Sequence, residues 1–179
     1  VVAGDDECEI EFQHFLNTGL STKKKYSSDS IQKSYSSEIL LLPQLTLRSI
    51  LNSNGVSHID LLKIDVEGSE MEVLRGLDFD KFQPRLIMIE ATRPMSRVRV
   101  SDDIREYLTN VGYEFALFDG LNDYFVFEGE RQLMDALDSP VNVFDGDYFK
   151  NGDFVNHLDR IRELEIKNLI LDQQFLKIR

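Results

Sequence analysis

The stretch Asp60-Leu61-Leu62-Lys63-Ile64-Asp65-Val66-Glu67-Gly68-Ser69-Glu70-Met71-Glu72-Val73-Leu74-Arg75-Gly76-Leu77 constrains the fold more than any other, because three local signals agree in it. Leu61, Leu62, Ile64 and Val66 form a short apolar, partly β-branched run that suits a strand covered on both faces of a parallel sheet. Gly68 permits a tight exit, Ser69 is placed as the N-cap of a helix, and Glu70 and Glu72 fall in its first turn, where carboxylates favour the helix dipole. Met71, Leu74 and Leu77 recur at helical spacing, and Gly76 suits the helix end. The stretch predicts strand, acidic turn, helix. Ligands of open α/β sheets bind beyond the carboxyl ends of the strands, where Asp65 and Glu67 stand. Acids at such places also cap helices or face water, so this pattern alone leaves both readings open.

The segment KIDVEGSEMEVLRGL, residues 63–77, resembles the signature of the FkbM-type methyltransferases, enzymes that use S-adenosylmethionine and mostly methylate hydroxyl groups of sugars and secondary metabolites. The resemblance implies an α/β fold of the class I methyltransferase-like (Rossmann-like) kind, a mostly parallel sheet with a closing antiparallel hairpin. It implies S-adenosylmethionine as cofactor and a sugar or other small-molecule hydroxyl as acceptor. By the same resemblance Asp65 lies near donor and acceptor, Glu67 and Glu90 orient the acceptor or act as base, and Asp5 matches the region that approaches the adenine. This chemistry requires no metal, although clustered carboxylates tolerate Mg²⁺.

Composition narrows the field further. A chain of 179 residues fits one domain. Its net charge of -12 argues against a nucleic-acid surface, which needs clustered Lys and Arg. The basic run Lys23-Lys24-Lys25 is isolated and reads as a solvated loop. One cysteine, Cys8, excludes an intrachain disulfide and a cysteine-rich metal site, and makes a reducing, cytoplasmic setting the default. No apolar run reaches the length of a membrane span, and His14, His58 and His157 lack ligand spacing.

Taken in order, Val1-Val2-Ala3 is strand-like, Gly4-Asp5-Asp6 turns, and Glu9 to Gln13 alternates as a half-exposed strand does. Asn17 to Ser37, rich in Ser, Thr, Lys and Asn, reads as a long mobile loop, either a lid over the substrate or plain disorder. Its Thr18-Gly19-Leu20-Ser21 resembles a small-residue stretch near the active-site mouth of the family. Glu38 to Leu42 predicts a strand that Pro43 breaks, and Thr46 caps a helix over Leu47 to Asn54. Arg48 stands where the family usually carries an acid.

Arg85 to Glu90 predicts another buried strand ending in an acid. If the strands before Asp65 and after Arg85 are parallel neighbours, about 4.8 Å apart, both carboxylates reach one rim; turns of different shape would instead hold them apart. Arg93, Arg97 and Arg99 either approach a substrate or bridge to this acidic surface. Ser101 or Asp102 caps a helix with Ile104, Tyr107, Leu108 and Val111 inward and Gly112 as its stop, and a hairpin follows over Tyr113 to Phe118 and Asp123 to Glu128.

Three divisions follow: residues 1–130 as the C-terminal part of a methyltransferase-like domain, 131–152 as an extended connection with a short helix over Arg131 to Leu137, and 153–179 as an amphipathic helix. The last carries a heptad pattern, so it either pairs in a homodimer or folds back on its own domain. Similar tails follow the catalytic domain in some FkbM-type proteins of polysaccharide biosynthesis. All ten glycines lie singly, and no G-x-G follows a strand. Aligned from Asp60 outward, Val1 falls in the family's third strand, so the expectation is a piece whose N-terminal half lies elsewhere. The rival expectation is a non-catalytic interaction module that uses an exposed sheet edge and the C-terminal helix.

Overall fold

The computed structural model describes residues 2–16, 18–92 and 98–140. Strands β1 (Val2–Gly4), β2 (Cys8–Phe15), β3 (Thr22–Lys23) and β4 (Ser37–Thr46) form one sheet in the order β1-β4-β2-β3. Strands β5 (Leu61–Ile64), β6 (Leu86–Glu90), β7 (Tyr113–Phe118) and β8 (Asn122–Phe127) form a second in the order β5-β6-β8-β7. Helices α1 (Asp29–Ser34), α2 (Leu47–Ser53), α3 (Glu70–Arg75) and α4 (Asp102–Asn110) complete the regular elements, with 3-10 turns at Lys24–Tyr26 and Glu128–Leu137.

The α/β class and the closing antiparallel hairpin hold, whereas a mostly parallel sheet is not what the ladders show. Each sheet is mixed: β1 with β4 and β5 with β6 run parallel, and the remaining ladders are antiparallel. Connection length explains the difference. A parallel pair needs a long crossover, which α3 supplies between β5 and β6, whereas the turn between β7 and β8 is short enough only for a hairpin. That turn is closed by Asp119, whose carboxylate accepts from the Leu121 and Asn122 amides at 2.8 and 2.7 Å and from the Tyr124 hydroxyl at 2.8 Å.

The core lies between the second sheet and helices α3 and α4. Ile64, Ile87, Ile89, Tyr113 and Phe125 pack against Val73, Leu74, Ile104 and Leu108. The inward face expected of α4 is the observed one, with Tyr107 and Val111 at its border. Buried Tyr113 satisfies its hydroxyl by donating to the Pro84 carbonyl at 2.8 Å. Thr46 caps α2 as its sequence position implies, accepting from the Ser49 amide at 3.2 Å.

Other local expectations are corrected. Asn17 to Ser37 is not one long loop: it contains β3, a 3-10 turn and α1. Pro43 does not end its strand, because β4 runs on to Thr46. Arg131 to Leu137, expected as a short helix, is helical but of the 3-10 kind. The helix and heptad expected over 153–179 lie outside the described residues. Among those residues no helix is long and apolar enough to cross a membrane.

Gly76 ends α3 with ordinary right-handed angles, φ -77° and ψ -6°, so conformational freedom is not its role. A Cβ there would collide with the Gly4 carbonyl oxygen and come to 3.3 Å from the Leu47 amide nitrogen, while the Gly76 carbonyl accepts from the Arg48 amide at 2.9 Å. Backbone from β1, α2 and α3 meets at this point. Gly76→Ala is expected to cost about 1–3 kcal/mol, read as a lower urea midpoint at unchanged slope.

Candidate functional site

Parallel pairing brings β5 and β6 to an end together. Ile64 lies level with Ile89, and the next residue on each chain is an acid, Asp65 or Glu90. Beyond Asp65 the backbone turns through two successive left-handed residues, Glu67 at φ 53° and Gly68 at φ 103°. Gly68 adopts this freely; Glu67 is the one non-glycine with positive φ among the described residues. A carboxylate oxygen of Asp65, of Glu67 and of Glu90 thus lie within 4.8 Å of one another. Asp5, in the turn after β1, lies outside this cluster and lines a cleft of about 760 Å³ with Lys23, Lys25 and Gln44.

The turn is held from two sides. From below, Glu70 Oε1 accepts from the Gly68 amide at 2.9 Å and the Val66 amide at 3.3 Å. Ser69 makes no capping bond of the kind expected of it; its hydroxyl donates to the Val66 carbonyl at 3.4 Å. From above, the Thr22 hydroxyl donates to the Glu67 carbonyl at 2.8 Å.

Thr22 opens a segment fastened to α3. Lys23, 2% exposed, reaches Glu72 Oε2 at 2.6 Å, Lys25 reaches Oε1 at 2.6 Å, and the Tyr26 hydroxyl donates to Oε1 as well. The lysine run is therefore not a solvated loop: two of its three ammonium groups meet one carboxylate, and Lys24 pairs with Glu11. Burial opposes ionisation of Glu72, but the hydrogen bonds from Lys23, Lys25 and Tyr26 prevail and hold its pKa at about 2.

The rim behaves in the opposite way. Burial first, then the negative charges of Glu67, Asp65 and Glu70, push Glu90 up to about 7 against the weaker pull of Lys63. Burial, Asp65 and Glu70 likewise raise Glu67. Lys63 forms an ion pair with Asp65. Among the described residues three buried polar atoms have no hydrogen-bond partner: Glu67 Oε2, Thr92 Oγ1 and Asn122 Oδ1. Asn122 lies directly across from Glu90 in the β6–β8 ladder, and Thr92 follows Glu90 by two residues. A carboxylate that titrates near neutrality can take up a proton at working pH.

On β8, Asp123 is fully buried and accepts from Ser101 at 2.7 Å, Arg99 at 2.5 Å and Arg105 at 2.9 Å. Arg99 is thus a structural partner, Ser101 anchors α4 through Asp123 rather than by a cap, and Arg93 and Arg97 lie outside the described residues. Sequence reasoning missed Thr22, Tyr26, Glu72 and Asp123. The available signal was weak: Glu72 stands between Met71 and Val73 in a short helix, where a carboxylate turned inward calls for a cation.

Residues 2–115 match the family described as the methyltransferase FkbM domain. The chain is also similar to the methyltransferase sdnD of Sordaria araneosa, 36% identical over 61 residues, which is 34% of this chain. The chain spans 22% of the length of that curated relative. No solved structure matches it.

The raised pKa of Glu90 fixes the sign of one pH effect. A carboxyl whose folded pKa exceeds its unfolded value favours the folded state at low pH, and loses that contribution as pH rises through about 7. Glu90→Gln, neutral throughout, should therefore gain stability relative to the wild type between pH 5 and pH 8, measured by urea unfolding at each pH. Glu72 works the other way. Its contribution is full above the ordinary glutamate range and is lost as pH falls toward 2.

Proposed function

Since the chain belongs to the FkbM methyltransferase family, we propose that it carries out methyl transfer from S-adenosylmethionine to a hydroxyl of a sugar or secondary metabolite at the Asp65, Glu67, Glu90 rim. One observation carries the reading: three carboxylates converge beyond adjacent parallel strands, and one of them titrates at about 7. The donor set suits the cofactor, because its sulfonium and ammonium are cations and the rim offers carboxylates, including the buried, unpartnered Glu67 Oε2. Asp65 would hold it, with Asp5 toward the adenine by the family resemblance.

When bound, S-adenosylmethionine supplies an electrophilic methyl group. Glu90 would take up the hydroxyl proton of the acceptor as that oxygen gains the methyl group. Glu90 is ionised above its raised pKa yet basic enough to hold that proton, which it then returns to water. Asp65 and Glu67 accept hydrogen bonds from the acceptor and orient its hydroxyl.

A second reading, an interaction module, is favoured by one feature. Among the described residues β5 pairs on one side only, and Leu61 on it is 53% exposed, as Leu41 on β4 is at 65%.

Calorimetric titration of the full chain with S-adenosylmethionine separates the two. Methyl transfer expects saturable binding that Asp65→Asn weakens at least about tenfold, a loss on the order of 1.4 kcal/mol. A folded, monodisperse wild type that takes up no cofactor would sink the enzymatic reading for this chain acting alone.

A further inference from the structure

Glu67 is held in a conformation that its own chemistry does not favour. A non-glycine residue with φ near 53° persists where its surroundings fix it, and here its carboxylate also carries a buried oxygen without a partner. Glu70 binds the amides on either side of Glu67, at Val66 and Gly68. The described contact to Glu67's own backbone from outside the turn comes from Thr22, 45 residues earlier and 4% exposed.

Thr22 in turn cannot drift. It pairs with Gln13 on β2, and its neighbour Lys23 is bound to Glu72 on α3. The Tyr26 side chain lies over Gly68, at 3.5 Å from where a Cβ would stand.

We infer that Thr22 is a positioning residue, whose hydroxyl fixes the left-handed Glu67 so that its carboxylate faces Glu90 across the rim. The inference rests on the reading of that rim as the reacting site. It assigns to the Thr22–Tyr26 segment a standing role in the geometry of the carboxylates, rather than that of a lid.

The consequence is readable in the titration of Glu90. The charged groups acting on Glu90 are Glu67, Asp65, Glu70 and Lys63. From β8 it is faced by neutral Asn122, and Asp123 is taken up by Arg99, Arg105 and Ser101. Removing the Thr22 hydroxyl frees Glu67 to turn away, which relieves one negative neighbour and lowers the Glu90 midpoint.

The experiment follows the side-chain carboxyl ¹³C signal of Glu90 against pH in the full chain, with no cofactor or acceptor added. Wild type, Thr22→Val, Thr22→Ser and Glu67→Gln are compared. Glu67→Gln gives the full effect of removing the charge. Thr22→Val is expected to move the midpoint the same way by about half a unit or more, and Thr22→Ser, which keeps the hydroxyl, to restore it. A midpoint moved by Glu67→Gln but untouched in folded Thr22→Val overturns the inference alone. A midpoint untouched even by Glu67→Gln overturns the rim reading and the inference together. Failure to bind S-adenosylmethionine is a separate result, since none of these signals depends on it. If Thr22→Val does not fold, the wild-type Thr22 hydroxyl proton decides: slowed exchange with water supports the bond, and free exchange overturns it.

Discussion

An ammonium group carried out of water must find its counter-charge in the same place, and Lys23 finds Glu72. Both are nearly inaccessible, at 2% and 7% exposure, so Lys23 meets its counter-charge in Glu72 and not in water. The pair joins elements far apart in the chain, β3 at the edge of the first sheet and α3 beneath the second. Lys25 and Tyr26 complete the coordination of the same carboxylate. A buried ion pair adds little net stability over an apolar contact, but it fixes one arrangement, because any other strands a charge. What it fixes here is the segment that touches the acidic turn.

The two ionic clusters differ in sign of imbalance. At Glu72 cations outnumber the carboxylate, and the acid is held ionised at about 2. At the rim carboxylates outnumber Lys63, and Glu90 rises to about 7. Only Glu70 to Met71 separates Glu72 from the turn residue Ser69, so one short helix carries a fixed charge on one side and borders a titrating group on the other. The first is structural chemistry, and the second is the chemistry of a group that can exchange protons at neutral pH.

How much of this was legible follows from how local each feature is. The strand, turn and helix over residues 60–77, the Thr46 cap, the inner face of α4 and the hairpin are written in neighbouring residues, and each stands in the structure, although β5 is a partly exposed strand and not the doubly covered one expected. The nearness of Asp65 to Glu90 followed from parallel pairing. That Glu67 joins them depends on a left-handed backbone, and only the adjacent Gly68 hinted at it. The segment from Asn17 to Ser37 was misread because its order comes from partners outside it: β2 for β3, and Glu72, 49 residues from Lys23. Composition marks such a stretch as a loop, and non-local contacts overrule composition. The antiparallel pairing of β2 with β3 and β4 was missed for the same reason, since a strand-like run does not state the direction of its neighbour.

The hairpin turn at Asp119 has a further consequence. Because β8 runs antiparallel to β6, the side of the rim next to Glu90 is walled by that turn and not by another strand-to-helix loop. One carboxylate binds two amides, the Asn122 side chain and the Tyr124 hydroxyl, so the turn is a closed set of bonds that an inserted residue would have to open. This wall is therefore the part of the rim least free to change length: a change here exchanges side chains on a fixed frame.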